Sequence, residues 1–167
     1  MGYGMDYNEA INYLHGLNRF GSRLGLERIQ RLMALLGNPE RKFRSVHVAG
    51  TNGKGSVTAM VARGLEEAGY RVGRYISPFL EEFEERISIN GKNIPREKVA
   101  EITATVRDAV EAMLSQGYDH PTEFEVVTAM GFEYFAREGV DFAAVEVGLG
   151  GRYDATNVID PMVSVIT

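Results

Sequence analysis

The segment Gly50-Thr51-Asn52-Gly53-Lys54-Gly55-Ser56 packs three glycines, a lysine and two hydroxyls into seven residues. Glycines let a backbone approach phosphate oxygens and turn its N–H groups inward, and a lysine adds a full positive charge. An apolar run at 46–49 precedes the segment, and a stretch of helical period follows it. Strand, glycine loop, helix is the context a phosphate loop needs, and the helix N-terminus adds a partial positive charge. The spacing departs from the strict P-loop pattern twice. Val48 stands five positions before Gly53, where a glycine is required, and Gly55 rather than a hydroxyl residue follows Lys54. Taken without its flanks, such a segment is a plain glycine-rich turn with a solvated lysine; the flanking strand and helix favour the phosphate site.

Two further polar points sit at or near strand ends. Ser77 follows the run at 72–76, and Pro78 biases it to an extended conformation. A hydroxyl there is placed to ligate Mg²⁺, although it is also an ordinary polar loop start. Glu146 is embedded in Phe142-Ala143-Ala144-Val145-Glu146-Val147, which is otherwise apolar. A buried carboxylate is costly unless paired or metal-bound. It is therefore either salt-bridged to a structural Arg or Lys or, beside a nucleotide site, a hard oxygen ligand for Mg²⁺. Gly148-Leu149-Gly150-Gly151-Arg152 follows, a stretch that allows close backbone approach and offers a cation. The run Glu81-Glu82-Phe83-Glu84-Glu85-Arg86 reads as a solvated charged face. His15, His47 and His120 lack metal-ligand spacing, and His47, within a strand, reads as a core histidine.

The elements that must position these residues follow from periodicity. Strands are expected at 46–49, 72–76, 142–147 and 162–166, mostly as continuous apolar runs of the kind covered on both faces. Amphipathic helices are expected around 7–17 and 26–36, the second ended by Gly37-Asn38-Pro39. After the glycine loop, Val57, Met60, Val61, Gly64, Leu65 and Ala68 share one helical face. Val99, Ile102, Val106, Ala109, Val110 and Met113 share another. A helix through Phe124, Val127, Met130, Gly131 and Phe135 is apolar nearly all round and is expected to be buried. Residues 86–94 alternate around Asn90-Gly91, a hairpin signal. The expectation is an α/β fold: a mostly parallel sheet with helices on both faces and a β-hairpin insert. The last run reads as a buried strand, and in such sheets ligands bind at the carboxyl ends of strands, so the chain is expected to be an incomplete domain.

Composition bounds the rest. The chain has 167 residues, 44% hydrophobic and 25% charged, as soluble globular domains do. A net charge of −5 argues against a nucleic-acid partner, and no apolar run is long enough to span a membrane. There are no cysteines, which removes disulfides and thiol chemistry and fits a reducing cytoplasm, as does a start without signal-peptide features. A monomer is expected. Since the global charge repels anions, any nucleotide affinity must come from local N–H groups, a lysine and a metal.

Taken together the motifs resemble the folylpolyglutamate synthase and dihydrofolate synthase family of the Mur ligase group. The resemblance runs over essentially the whole chain. Its blocks are Leu24 to Arg28, Val48 to Ser56, Ser77-Pro78-Phe79-Leu80 with Glu85-Arg86-Ile87, Thr122 to Glu125, and Glu146 to Asn157. The glycine loop is shared with Mur ligases, which usually carry Thr at the position of Gly55; the last block with Ser77-Pro78 is specific to the folate branch. The resemblance implies a P-loop NTPase-like domain of the Mur ligase central type. It implies ATP-dependent joining of L-glutamate to a folate or to dihydropteroate through an acyl phosphate. By the match, Lys54 and the loop from Gly50 to Ser56 hold ATP, and Ser77 and Glu146 ligate Mg²⁺. Leu24, Thr122, Phe124, Asp154 and Ala155 form the pterin pocket, with Phe124 against the ring and Asp154 on its edge, and Arg86 is a further substrate residue. It also implies that residues 1–167 are the N-terminal portion of a longer ligase and do not turn over alone. Open alternatives are a Mur-type ligase for a UDP-linked cell-wall precursor, a P-loop kinase or NTPase, and a non-catalytic nucleotide-binding module.

Overall fold

The computed structural model describes residues 4–21 and 25–167. Helix α1 (Tyr7–Gly16) opens with a capping box, Asp6 accepting from the Glu9 N–H while Glu9 accepts from the Asp6 N–H. Helix α2 (Glu27–Leu35) stops where Gly37 and Asn38 take positive φ and the Asn38 N–H returns to the Met33 carbonyl. Strand β1 (Arg44–Ala49) leads through the glycine loop into α3 (Lys54–Glu67) and β2 (Val72–Tyr75). A hairpin follows, β3 (Ile87–Ile89) and β4 (Lys92–Asn93), turning on Asn90 and Gly91, both at positive φ. Helices α4 (Arg96–Ser115) and α5 (Glu123–Arg137) precede β5 (Phe142–Glu146) and β6 (Val163–Ile166).

The strands form one sheet in the order β4-β3-β2-β5-β1-β6. The pairs β2·β5, β5·β1 and β1·β6 are parallel; the hairpin adds antiparallel to β2. Helices cover both faces, as the alternation of β5 shows. Ala144 packs with Val72 and with Ala62, Val61 and Leu65 of α3. Ala143 and Val145 face the larger core built by α5, with α1, α2 and α4 packed around it. Phe132, Phe135 and Met130 of α5 are wholly buried, each worth about 1.5–3 kcal/mol of transfer free energy.

Three sequence expectations need correction. Strand β6 is not buried among the described residues: it pairs with β1 alone, and Val163 and Ile166 are exposed. Met60 is exposed, since the face of α3 that meets the sheet runs through Thr58, Val61, Ala62 and Leu65. The run from Glu81 to Arg86 is not a solvated face. Phe83, Glu84 and Arg86 are buried in a 3₁₀ turn, and Glu84 pairs with Arg96 at 2.7 Å. The Glu85 carboxylate accepts the Leu80, Glu81 and Glu82 N–H groups, which holds its pKa below the usual range.

Glycine sets the spacing between α5 and the sheet. A Cβ on Gly73 would lie 2.7 Å from the Phe135 ring, and one on Gly131 would lie 2.9 Å from the Tyr75 ring. Each aromatic ring sits on bare backbone of the facing element. Gly73→Ala is accordingly expected to lower stability by about 1–3 kcal/mol through overpacking. Gly64→Ala, in open space on an exposed turn of α3, is expected to be neutral or stabilising by up to about 1 kcal/mol. Urea titration reads both; equal effects at the two sites would contradict this packing.

Candidate nucleotide and substrate cleft

The carboxyl ends of the four parallel strands meet along one edge of the sheet, the edge where open α/β sheets bind ligands. At the end of β1, Gly50 turns the chain at φ 138°. Thr51 and Asn52 form an exposed turn, Gly53 caps α3 in the left-handed region, and Lys54 is the first helical residue. No side chain caps this helix, so its first N–H groups are open to an anion. Lys54 reaches back across the loop, its Nζ donating to the Gly50 carbonyl at 3.0 Å. Gly55 and the exposed Ser56 lie in the first turn. From the β6 side, Thr167 closes on the loop, its hydroxyl donating to the Asn52 carbonyl at 2.6 Å. A Cβ at Gly50 would collide with Thr167.

Glu146 ends β5, which lies between β1 and β2. It is paired in register with Val48, two residues before the loop, and its neighbour Val145 is paired with Tyr75, two before Ser77. The sheet thus delivers Lys54, Ser77 and Glu146 to one place. The Ser77 N–H donates to Glu146 Oε2 at 3.3 Å, and a methyl on Gly55 would sit 3.6 Å from the same oxygen. Glycine at position 55 therefore leaves open the space between the loop and this carboxylate. Among the described residues the ion pairs do not include Glu146, against the salt-bridge alternative. Burial raises its pKa, and the Ser77 N–H and the Lys54 charge oppose that rise. A buried carboxylate with one long hydrogen bond, beside a hydroxyl and an anion-binding loop, fits a hard cation. No cluster of three His, Cys, Asp or Glu occurs among the described residues, so Ser77 and Glu146 would supply only part of a cation's coordination.

A cleft of about 340 Å³ continues from Ser77 and Pro78 along the N-terminus of α5. Arg86, Thr122, Phe124, Asp154 and Ala155 all line it; Leu24 lies outside the described residues. Thr122 caps α5, accepting from the Glu125 N–H, while the Thr122 N–H donates to Glu125 Oε2 at 2.7 Å. Its spacing to Glu125 is a capping-box signal that locates this helix start from sequence. Phe124 lies on Gly148, where a Cβ would come within 2.5 Å of its ring, and against Tyr75 at 6.4 Å. Asp154 is already engaged: the Leu149 N–H, the Thr156 N–H and the Thr156 hydroxyl all donate to it. Arg86 is 9% exposed, lies over the rings of Phe79 and Phe83, and has two guanidinium nitrogens without hydrogen-bond partners, one of which, Nη1, lies 3.8 Å from the Glu123 carboxylate. Such unmatched donors suit a ligand with acceptor oxygens. Arg152 does not join the loop; it is exposed and lies over Tyr153. Sequence reasoning did not assign Tyr153 or Asn18 to the lining; Tyr153 lies inside the block from Glu146 to Asn157, and no motif marks Asn18.

No family model matches the chain. The dihydrofolate synthase/folylpolyglutamate synthase of Bacillus subtilis is 49% identical over 162 residues, covering 96% of this chain and 38% of that protein. An apo structure of the Lacticaseibacillus casei folylpolyglutamate synthase matches with a TM-score of 0.91 at 45% identity, covering 97% of this chain and 40% of that one. The chain is related to the folylpolyglutamate and dihydrofolate synthases. A complex of such a synthase with AMPPCP and folate matches with a TM-score of 0.89 at 44% identity, again over 97% of this chain and 40% of that one. The chain spans about two fifths of the length of these relatives.

The raised pKa of Glu146 has a stability consequence. The folded state binds this proton more tightly than the unfolded chain, so burial of the charge costs nothing below the ordinary carboxylate pKa of 4.5. The cost develops as pH rises from there through the raised value and is complete above it. In chelator-treated buffer, Glu146→Gln is expected to raise the melting temperature at pH 7.5 and to leave it unchanged near pH 4. A lower melting temperature at pH 7.5 would mean that the carboxylate is paired rather than strained.

Proposed function

We propose that residues 1–167 are the N-terminal portion of the ATP-binding domain of a longer ligase that joins L-glutamate to a folate or to dihydropteroate. The observation that carries this reading is the place of Ser77. Its N–H donates to Glu146, which lies beside Gly55 of the glycine loop, and Ser77 also lines the cleft that Phe124, Arg86 and Asp154 share. A nucleotide's phosphate and a flat aromatic substrate bearing a carboxylate fit head to tail there. The complex of a similar synthase with AMPPCP and folate supports the pairing of these two ligand classes.

The reaction balances as two transfers. A carboxylate oxygen of the pterin substrate attacks the γ-phosphorus, and ADP leaves. The amine of glutamate then attacks the acyl carbon, and inorganic phosphate leaves with formation of the amide. The work of the protein is positioning and charge stabilisation. Lys54 gives up the Gly50 carbonyl for phosphate oxygens, and the first N–H groups of α3 receive the charge that moves to the leaving ADP. Ser77 and Glu146 would hold Mg²⁺, which when bound neutralises the β- and γ-phosphate oxygens. Phe124 stacks on the ring, Thr122 and Ala155 shape the wall, and Arg86 donates to acceptor oxygens of the substrate.

The test is the full-length enzyme assayed with radiolabelled glutamate, Mg-ATP and dihydropteroate, tetrahydrofolate or a UDP-linked cell-wall precursor in turn. Incorporation on a pterin supports the reading; incorporation only on the UDP-linked acceptor, or ATP hydrolysis without a hydroxylamine-trappable acyl phosphate, overturns it. In the same enzyme Lys54→Ala is expected to reduce turnover at least about 100-fold, the loss typical of one transition-state charge contact; near-normal turnover would remove Lys54 from the site. Phe124→Ala is expected to raise KM for the pterin more than KM for ATP, and the opposite order would move Phe124 out of the substrate pocket.

A further inference from the structure

His47 lies in the middle of β1, 7% exposed, three residues before Gly50. Its Nε2 is 2.8 Å from the hydroxyl of Thr156, which is wholly buried in the 3₁₀ turn Ala155–Val158. That hydroxyl is 2.5 Å from Asp154 Oδ1, which also accepts the Thr156 N–H at 2.9 Å. The other carboxylate oxygen accepts the Leu149 N–H at 2.9 Å. A hydroxyl has one proton. Given to the carboxylate, it leaves Thr156 Oγ1 an acceptor, so the imidazole must carry its proton on Nε2. The chain therefore runs in one direction: His47 Nε2–H to Thr156 O–H to Asp154. Burial lowers the His47 pKa, in keeping with the neutral ring. Each link in such a chain polarises the next.

We infer that His47 is a positioning residue of the substrate cleft: through Thr156 it fixes Asp154, and so holds the wall formed by Leu149, Asp154 and Ala155 in register with the phosphate loop. The strand that ends in the loop and the turn that lines the cleft are joined by this buried chain, at a distance of 109 residues in sequence. The inference rests on the folate-ligase reading for its kinetic test. It does not rest on it for its geometry.

The experiment uses the full-length enzyme and three variants. His47→Leu removes the donor, His47→Gln keeps an N–H donor on a side chain of similar reach, and Thr156→Val breaks the chain from the other side. Loss of one buried hydrogen bond predicts about a tenfold rise in KM for the pterin with His47→Leu. KM for ATP is expected to stay within about twofold and His47→Gln to lie near wild type. Combined with Thr156→Val, His47→Leu should add nothing further, because both cut one chain. Equal rises in both KM values, additive effects, or failure of glutamine to rescue would overturn the inference and leave His47 a packing residue. If His47→Leu does not fold, Thr156→Val gives the same readout. Nitrogen-15 NMR of the imidazole supplies a test independent of turnover: Nε2 protonated and Nδ1 bare is expected, and the reverse tautomer would refute the chain. An enzyme with no pterin activity at all sinks the functional reading, while the NMR result still decides the network.

Discussion

The site depends on one constraint, the burial of the Glu146 carboxylate at the carboxyl end of the central strand. A charged oxygen in that position is unfavourable by itself, and burial raises its pKa accordingly. It is tolerated because β5 lies between β1 and β2, so the neighbouring strand ends bring it one N–H from Ser77 and the field of Lys54. A different strand order would leave the same carboxylate among aliphatic side chains. The requirement that Glu146 be solvated by something other than water fixes which loops must converge, and the cleft follows from that convergence.

The second requirement is close approach of backbone to aromatic rings. Gly73 receives Phe135, Gly131 receives Tyr75, and Gly148 receives Phe124. The first two contacts set how deeply α5 lies on the sheet. The third places the ring of Phe124, in the first turn of that helix, over the segment that follows Glu146. Packing in the core and shape in the cleft are therefore one arrangement: a shift of α5 that relieved a clash at Gly73 would also move Thr122 and Phe124. Interiors packed at crystal-like density transmit such displacements rather than absorbing them.

Charge is distributed in the same economical way. The chain carries −5 overall, yet the cleft presents an uncapped helix N-terminus, Lys54 and the buried Arg86 guanidinium. Several acidic residues near the cleft are committed elsewhere, Glu125 to the cap and to Arg28, Glu84 to Arg96 and Glu85 to three backbone N–H groups, while Glu123 in the lining faces Arg86 at 3.8 Å. The positive groups are thereby local and stand apart from the net field.

Much of this was legible in the sequence. Helical period gave α4 and α5, the apolar runs gave the parallel strands, and Asn90-Gly91 gave the hairpin, because each rests on contacts between near neighbours in the chain. The glycine loop could be placed between a strand and a helix despite its irregular spacing, since both flanking elements are local features. The exposure of β6 and Met60 and the burial of Phe83, Glu84 and Arg86 were not legible, for they depend on which partners lie alongside. Nor was the engagement of Asp154 with Thr156 and, beyond it, with His47, a contact between residues 109 apart. The sequence by itself marked the candidates: a glycine loop with its lysine, a hydroxyl at a strand end, a carboxylate in an apolar strand and an aromatic residue at a helix start. Only the tertiary structure decided that they share one cleft, because strand order is set by the packing of α3 and α5 on opposite faces of the sheet, and no periodicity along the chain encodes it.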